Sequence, residues 1–210
     1  MRLTFGGPEP ADKKKKKQDE EIPEFAKSPK GFAIELLKII LIALAIIIPV
    51  RYFVFQPIYV RGTSMEPSFY DNQYLIIDEI TYRFTEPKRG EVVVVKPVTT
   101  QADYLIKRII ALPGETLEIR GGEVVVHNQQ YPDGIVLEEE YLGEGVYTSG
   151  TKAVTLNSDE YYVMGDNRSV SLDSRSFGPL PEDNIVGRAW LRVWPFEEFS
   201  HFAPPEYVYD

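Results

Sequence analysis

The sequence predicts a mainly β fold: an antiparallel β-sheet domain that follows one N-terminal transmembrane helix. Three observations lead there. An apolar stretch runs from Phe32 to Phe55, broken only by the charges of Glu35, Lys38 and Arg51. Beyond it come short segments rich in Val, Ile and Tyr and divided by Pro and Gly, the pattern of strands. No long segment after residue 56 repeats its apolar residues at the helical period.

Taken in order, residues 1–31 are rich in Lys, Glu and Pro and include the run Lys13 to Lys17. Such a segment buries too little apolar surface to offset its ordering entropy, so a disordered basic tail is expected. Residues 32–55 read as the anchor, since about twenty apolar residues cross a hydrocarbon core. Ile39 to Val50 is free of charge, Lys38 can snorkel toward the headgroups, and Pro49 is expected to end or bend the helix. A cleaved signal peptide would have a short basic start and small residues at its exit. Here the leader is long, the exit IIIPVRYFVFQ is bulky, and the one Ala-x-Ala, Ala43 to Ala45, lies inside the apolar run. A buried globular helix would need neighbours all round. The stretch is therefore read as an uncleaved anchor. Nine Lys or Arg fall within residues 1–38, which places the amino terminus in the cytoplasm and residues 56–210 outside.

Residues 56–210 carry the expected strands QPIYVR, YLIIDEI, EVVVVKP, DYLIKRIIAL, TLEIR, EVVVHN, EYYVMG and GRAWLRVW. Gly121-Gly122 between TLEIR and EVVVH signals a tight hairpin, because a primed turn needs positive φ angles. Pro113-Gly114 and Asp133-Gly134 mark further turns. A chain of 210 residues holds one ordinary domain with a sizeable core. Its net charge of −9 argues against a nucleic-acid partner, which attracts basic surfaces. The chain has no cysteine, which removes disulfides, thiolate catalysis and cysteine-held zinc. The two histidines, His127 and His201, are too few and too isolated for a metal site, and neither neighbourhood suggests a catalytic triad.

Three segments carry chemistry. In RGTSMEPSFYDNQYLIIDE, Ser64 lies between Gly62, which permits a sharp turn, and Pro67, which fixes the exit. In DYLIKRIIALPGE, a strand would put Leu105, Lys107 and Ile109 on one face and Ile106 and Arg108 on the other. An ammonium in such apolar company is desolvated, so Lys107 has the setting of a neutral base; an edge-strand lysine that snorkels to water is the plain alternative. In YYVMGDNRSVSLDSRSFGPLP, Asp166, Arg168, Asp173 and Arg175 alternate in charge and Ser171 and Ser174 add hydroxyls, as any hydrogen-bonded surface loop does.

Together these segments resemble type I signal peptidases. GTSMEPS is similar to the family's nucleophile box, YLIKRIIALPGE to its lysine box, and MGDNRSVSLDSRSFGPLP to its GDN-R-x-x-S-x-D-S-R loop, in the family's order and over roughly residues 36–194. The resemblance implies a β-fold serine/lysine endopeptidase that removes signal peptides from exported preproteins and works without metal or organic cofactor. It implies Ser64 as nucleophile and Lys107 as general base. Ser171 matches the serine that orients that lysine, Asp166, Arg168, Asp173 and Arg175 match the charges that support the site, and Arg108 matches a basic ion-pair partner. Some members carry an oxyanion-hole serine where this chain has Gly62, so backbone N–H groups, chiefly that of Ser64, are left to hold the oxyanion. Val60, Met65, Phe69, Leu105 and Ile106 match pocket regions for small substrate side chains, and each is equally well explained as core. Trp190, Trp194 and Phe196 suit contact with membrane lipid as well as core packing. The rival enzyme reading, a self-cleaving repressor, would bring a DNA-binding domain; an inactive tethered β-domain would leave Ser64 and Lys107 without a joint role.

Overall fold

The computed structural model describes residues 29–53, 55–97, 104–143, 145–150, 153–205 and 207. The expected tail over residues 1–28 lies outside them. Two compact units divide the chain between residues 46 and 47.

The apolar stretch forms helix α1, Pro29–Phe53. It begins on a proline, whose missing N–H costs nothing in a first turn. Ile39, Ile40, Leu41 and Ile42 follow one another in steps of about 100° and so point all round the helix, yet all four are exposed, and the span Pro29–Ile48 has a mean hydropathy of 2.6. That is the surface of a helix made for an apolar surrounding. Of the two outcomes expected at Pro49, an end or a bend, the helix does not end there and runs on to Phe53. A proline deletes a single ladder bond, and apolar helices tolerate the deletion.

After it come strands β1 (Phe55–Tyr59), β2 (Tyr74–Asp78), β3 (Val92–Val95), β4 (Leu105–Ala111), β5 (Thr116–Arg120) and β6 (Glu123–His127). Then follow β7 (Ile135–Val136), β8 (Val154–Thr155), β9 (Glu160–Met164), a short helix α2 (Ser174–Phe177), β10 (Leu180–Pro181), β11 (Ile185–Trp194) and β12 (Ser200–His201). Every strand pairing is antiparallel. The larger sheet runs β1-β2-β11-β3-β4-β9-β10, with β12 beside β11; the smaller runs β7-β6-β5-β8.

All four valines of β3 are buried, because the large sheet is covered on both faces there. Val92 and Val94 pack with Val60, Met65, Phe69, Leu75, Ile77 and Ala189, whereas Val93 and Val95 pack with Ile109, Tyr161, Val163 and Leu180. A third cluster joins the two sheets: Ile110, Tyr162 and Met164 of the larger meet Leu117, Ile119, Val124 and Val126 of the smaller. Gly121 and Gly122, at φ +64° and +95°, connect β5 to β6 with Arg120 opposite Glu123, the two-residue primed turn that the sequence signals. A buried Arg89–Glu115 ion pair at 2.6 Å ties the approach to β3 to the start of β5.

The fold fixes the places of Ser64 and Lys107. Strand β1 is an edge strand, and the turn after it carries Ser64. Strand β4 lies between β3 and β9 with Lys107 opposite Val93 and Arg108 opposite Met164, next to the loop that leaves β9.

Candidate active site

Ser64 sits in a tight turn. Gly62 takes φ +87°, a left-handed conformation that a Cβ would penalise, and its N–H donates to Asp71 Oδ1 at 2.8 Å. The N–H of Phe69 donates to the carbonyl of Met65 at 2.9 Å, and both of these side chains are buried in the core. Apolar anchoring from beneath thus holds a half-buried serine at the surface. Because the Gly62 amide is engaged, it is not a free oxyanion donor in this conformation. The Ser64 amide has no acceptor among the described residues.

Lys107 is 1 % exposed. Its Nζ lies 2.8 Å from Ser64 Oγ and 2.7 Å from the carbonyl oxygen of Ile106. Burial lowers its pKa to about 8, against the opposing pull of the Asp173 and Asp166 carboxylates and with some help from Arg175. At that value roughly a tenth of the amine is neutral at pH 7, against well under a thousandth for a free lysine. The strand alternation expected for this segment is the reason: Lys107 shares a face with Leu105 and Ile109, both packed in the cluster around Val93.

Loop 165–173 closes over the pair. The N–H of Asn167 donates to the Ser64 carbonyl at 3.1 Å, and the Gly165 N–H to Asp173 Oδ2 at 3.1 Å. A Cβ on Gly165 would stand 2.2 Å from Ser171 Oγ and 2.4 Å from Ser64 O. Glycine is needed there for the close approach of two backbones. Ser171 places its buried hydroxyl against Gly165, but neither hydrogen bond of Lys107 goes to it. The second hydrogen bond of Lys107 goes to the carbonyl of Ile106.

The supporting charges are paired beneath this loop. Arg108 holds Asp166 by two bonds of 2.9 and 2.6 Å, with both side chains buried, and its guanidinium lies 3.9 Å from the Tyr141 ring centroid. Asp173, wholly buried, accepts from Arg175 at 2.9 and 2.7 Å. Burial pushes its carboxyl up, and the bonds from Arg175 and Gly165 outweigh that and hold it below the usual range. Arg168 pairs with Glu139 and donates to Thr148 at 2.5 Å. Glu139 and Tyr141, which also bond each other at 2.5 Å, were not singled out from the sequence. VLEEEYLG has no period or turn signature that marks its middle glutamate as a partner for a buried arginine.

Ser64 and Lys107 open on a cavity of about 350 Å³ lined by Ile58, Tyr59, Val60, Leu105, Ile106 and Val186, among others. Of the five residues matched to pocket regions, Val60, Leu105 and Ile106 line it. Met65 and Phe69 do not: both are 1 % exposed in the core, and Phe69 stacks on Phe202 with centroids 4.4 Å apart. Neither histidine lines this cavity; His127 bonds the carbonyl of Pro132 and His201 meets the Trp190 ring edge-on. Trp194 and Phe196 are exposed and in edge contact at 4.9 Å, whereas Trp190 is half-buried.

Comparison with known proteins gives a consistent result. The family model for signal peptidase, peptidase S26, matches residues 33–194. A signal peptidase I of Leptolyngbya laminosa is 34 % identical over 190 residues, which are 86 % of this chain and 90 % of that protein. A probable signal peptidase I-2 of Synechocystis sp. is 38 % identical over 173 residues, 80 % of this chain and 76 % of the relative. Signal peptidase IB of Staphylococcus aureus is 32 % identical over 178 residues, 80 % and 92 % of the two chains.

Proposed function

The chain belongs to the signal peptidase family, peptidase S26, and on that premise we propose that it removes N-terminal signal peptides from exported preproteins with Ser64 as nucleophile and Lys107 as general base. One observation carries this reading: a buried amine with a pKa of about 8 stands 2.8 Å from a serine hydroxyl at the mouth of an apolar cavity.

The chemistry is acyl transfer. Neutral Lys107 Nζ accepts the hydroxyl proton as Ser64 Oγ bonds to the scissile carbonyl carbon. The negative charge that forms on the carbonyl oxygen meets the Ser64 N–H, and a well-placed donor of this kind contributes about 3–4 kcal/mol to the transition state. Protonated Lys107 returns its proton to the leaving amine, and the C–N bond breaks to leave an acyl-serine and the mature chain. The neutral lysine then takes a proton from water, whose oxygen attacks the ester and frees the signal peptide. Ile106 O holds the amine in place through both proton transfers.

Edge strand β1 supports binding of the substrate as an added strand,. The cavity is lined by the residues that precede Ser64, so the signal-peptide side of the substrate runs along β1 in the same direction and ends at the nucleophile. Small residues next to the cut fit the shallow apolar wall formed by Val60, Ile58 and Ile106. Helix α1 serves as the anchor; with the basic residues before it, the positive-inside rule puts the β-domain on the outer face. Exposed Trp194, Phe196 and Phe199 are suited to lipid headgroups,.

The test is cleavage of a signal-peptide preprotein by the full-length chain and by its Ser64→Ala variant. Removal of one oxygen from a surface turn should leave thermal stability within about 0.5 kcal/mol and abolish processing. Normal turnover by Ser64→Ala would remove Ser64 as nucleophile.

A further inference from the structure

The cavity holds a charged group that this chemistry does not use. Along β1 and the residue that follows it, Gln56, Ile58 and Val60 recur at alternate positions and line the cavity wall,. On β2, Ile77 pairs with Gln56, and Glu79, two residues on, continues the same face into the same cavity. Glu79 is half-buried. Its Oε1 is shut off from solvent and accepts no hydrogen bond among the described residues. Burial raises its carboxyl above the usual range, against a weaker pull from Arg83. An acceptor buried without a donor is costly, and a charged one more so. The other charged residues of the cavity wall, Arg61 and Lys107, belong to the nucleophile's end, one beside Val60 in sequence and the other bonded to Ser64.

Spacing assigns a position to this group. A substrate strand beside β1 advances about 3.3 Å per residue. With its scissile carbonyl at Ser64, its first and third residues upstream of the cut face Val60 and Ile58, and its fifth reaches the end formed by Gln56 and Glu79. We propose that Glu79 makes this end a subsite for a cationic side chain, lysine or arginine, at the fifth residue upstream of the cut. The inference rests on the reading of the cavity as the signal-peptide cleft. It adds a charge preference at the end of the wall away from the reacting atoms, so it acts on choice of substrate and leaves the dyad alone.

The experiment compares kcat/KM of the full-length enzyme on four preproteins that differ only at that fifth residue: Lys, Gln, Ala and Glu. Wild type should prefer Lys over Glu by about tenfold or more, the equivalent of ~1.4 kcal/mol, and lysine moved to the fourth residue should lose the advantage. Glu79→Gln should flatten the series and Glu79→Lys should reverse it, while both variants cleave the Ala substrate within about twofold of wild type, a difference of under ~0.5 kcal/mol. Equal rates for Lys and Glu substrates in wild type, or one order shared by wild type and Glu79→Lys, would overturn the subsite and leave the dyad standing. Failure of wild type to cleave any of the four would instead overturn the function on which the subsite rests.

Discussion

The backbone N–H of Asn167 donates to the carbonyl oxygen of Ser64 at 3.1 Å. Segments far apart in sequence therefore share one hydrogen bond at the nucleophile, and the bond exists only because Gly165 lets the loop come close. A methyl group on Gly165 would overlap Ser171 Oγ and the Ser64 carbonyl, and the second of these is backbone with little room to yield. Gly165→Ala should thus displace the nucleophile turn without altering either proposed catalytic side chain. A displacement near 1 Å costs about a hundredfold in rate, while the crowding costs stability about 1–3 kcal/mol. Steady-state kinetics with unchanged far-UV circular dichroism would bear this out; a variant with wild-type kcat/KM would not.

Asp166 neutralises Arg108 in a buried setting. Removal of one partner from a buried pair leaves an uncompensated charge and typically costs about 3–5 kcal/mol. Asp166→Ala should lose stability on that scale, and the double variant Asp166→Ala with Arg108→Met should recover part of it. Denaturant unfolding checks both. A single variant within about 0.5 kcal/mol of wild type would mean that Arg108 finds solvent or another carboxylate.

Lys107 should lower the stability of the fold it serves. Its pKa falls from an ordinary 10.5 to about 8 on folding, so the unfolded chain binds the proton more tightly. Below pH 8 both states are protonated and the desolvation penalty is fully present. It fades between pH 8 and 10.5, and stability contributed through this group rises with pH across that window. Lys107→Met keeps the volume and removes the charge, so at pH 7 it should raise stability by on the order of 2 kcal/mol, with the gain shrinking by pH 10.5. Thermal unfolding at the two pH values decides; a destabilised variant at pH 7 would show that the amine's hydrogen bonds outweigh its burial.

Local pattern reveals some of this architecture and hides the rest. The strands were legible because Val, Ile and Tyr alternate or run together between Pro and Gly, and the hairpin because two glycines permit its turn. The strand pattern around Lys107 suited a snorkelling edge-strand lysine as well as a buried base, and it was the resemblance of the three boxes that marked it for chemistry. Pairings across the fold leave no such trace. Nothing in the sequence joins Glu139 to Arg168 or Tyr141 to Arg108. Met65 and Phe69 flank the nucleophile, so a pocket and a core position look alike until Phe202 is seen against the Phe69 ring. The span of α1 past Pro49 was hidden for a different reason: proline weakens a helix locally, and whether the helix stops depends on what surrounds it.

The central claim is that a neutral Lys107 activates Ser64, and the dependence of kcat/KM on pH tests it most directly. With a saturating plateau for the neutral amine, cleavage of a fixed preprotein should rise about tenfold per pH unit below the transition and level off above an apparent pKa near 8,. That value lies between an ordinary carboxylate and an ordinary lysine, where burial places this amine. A profile that is flat from pH 6 to 10, or one that keeps rising through pH 10 as a free lysine titrates, would contradict the assignment of Lys107 as the base.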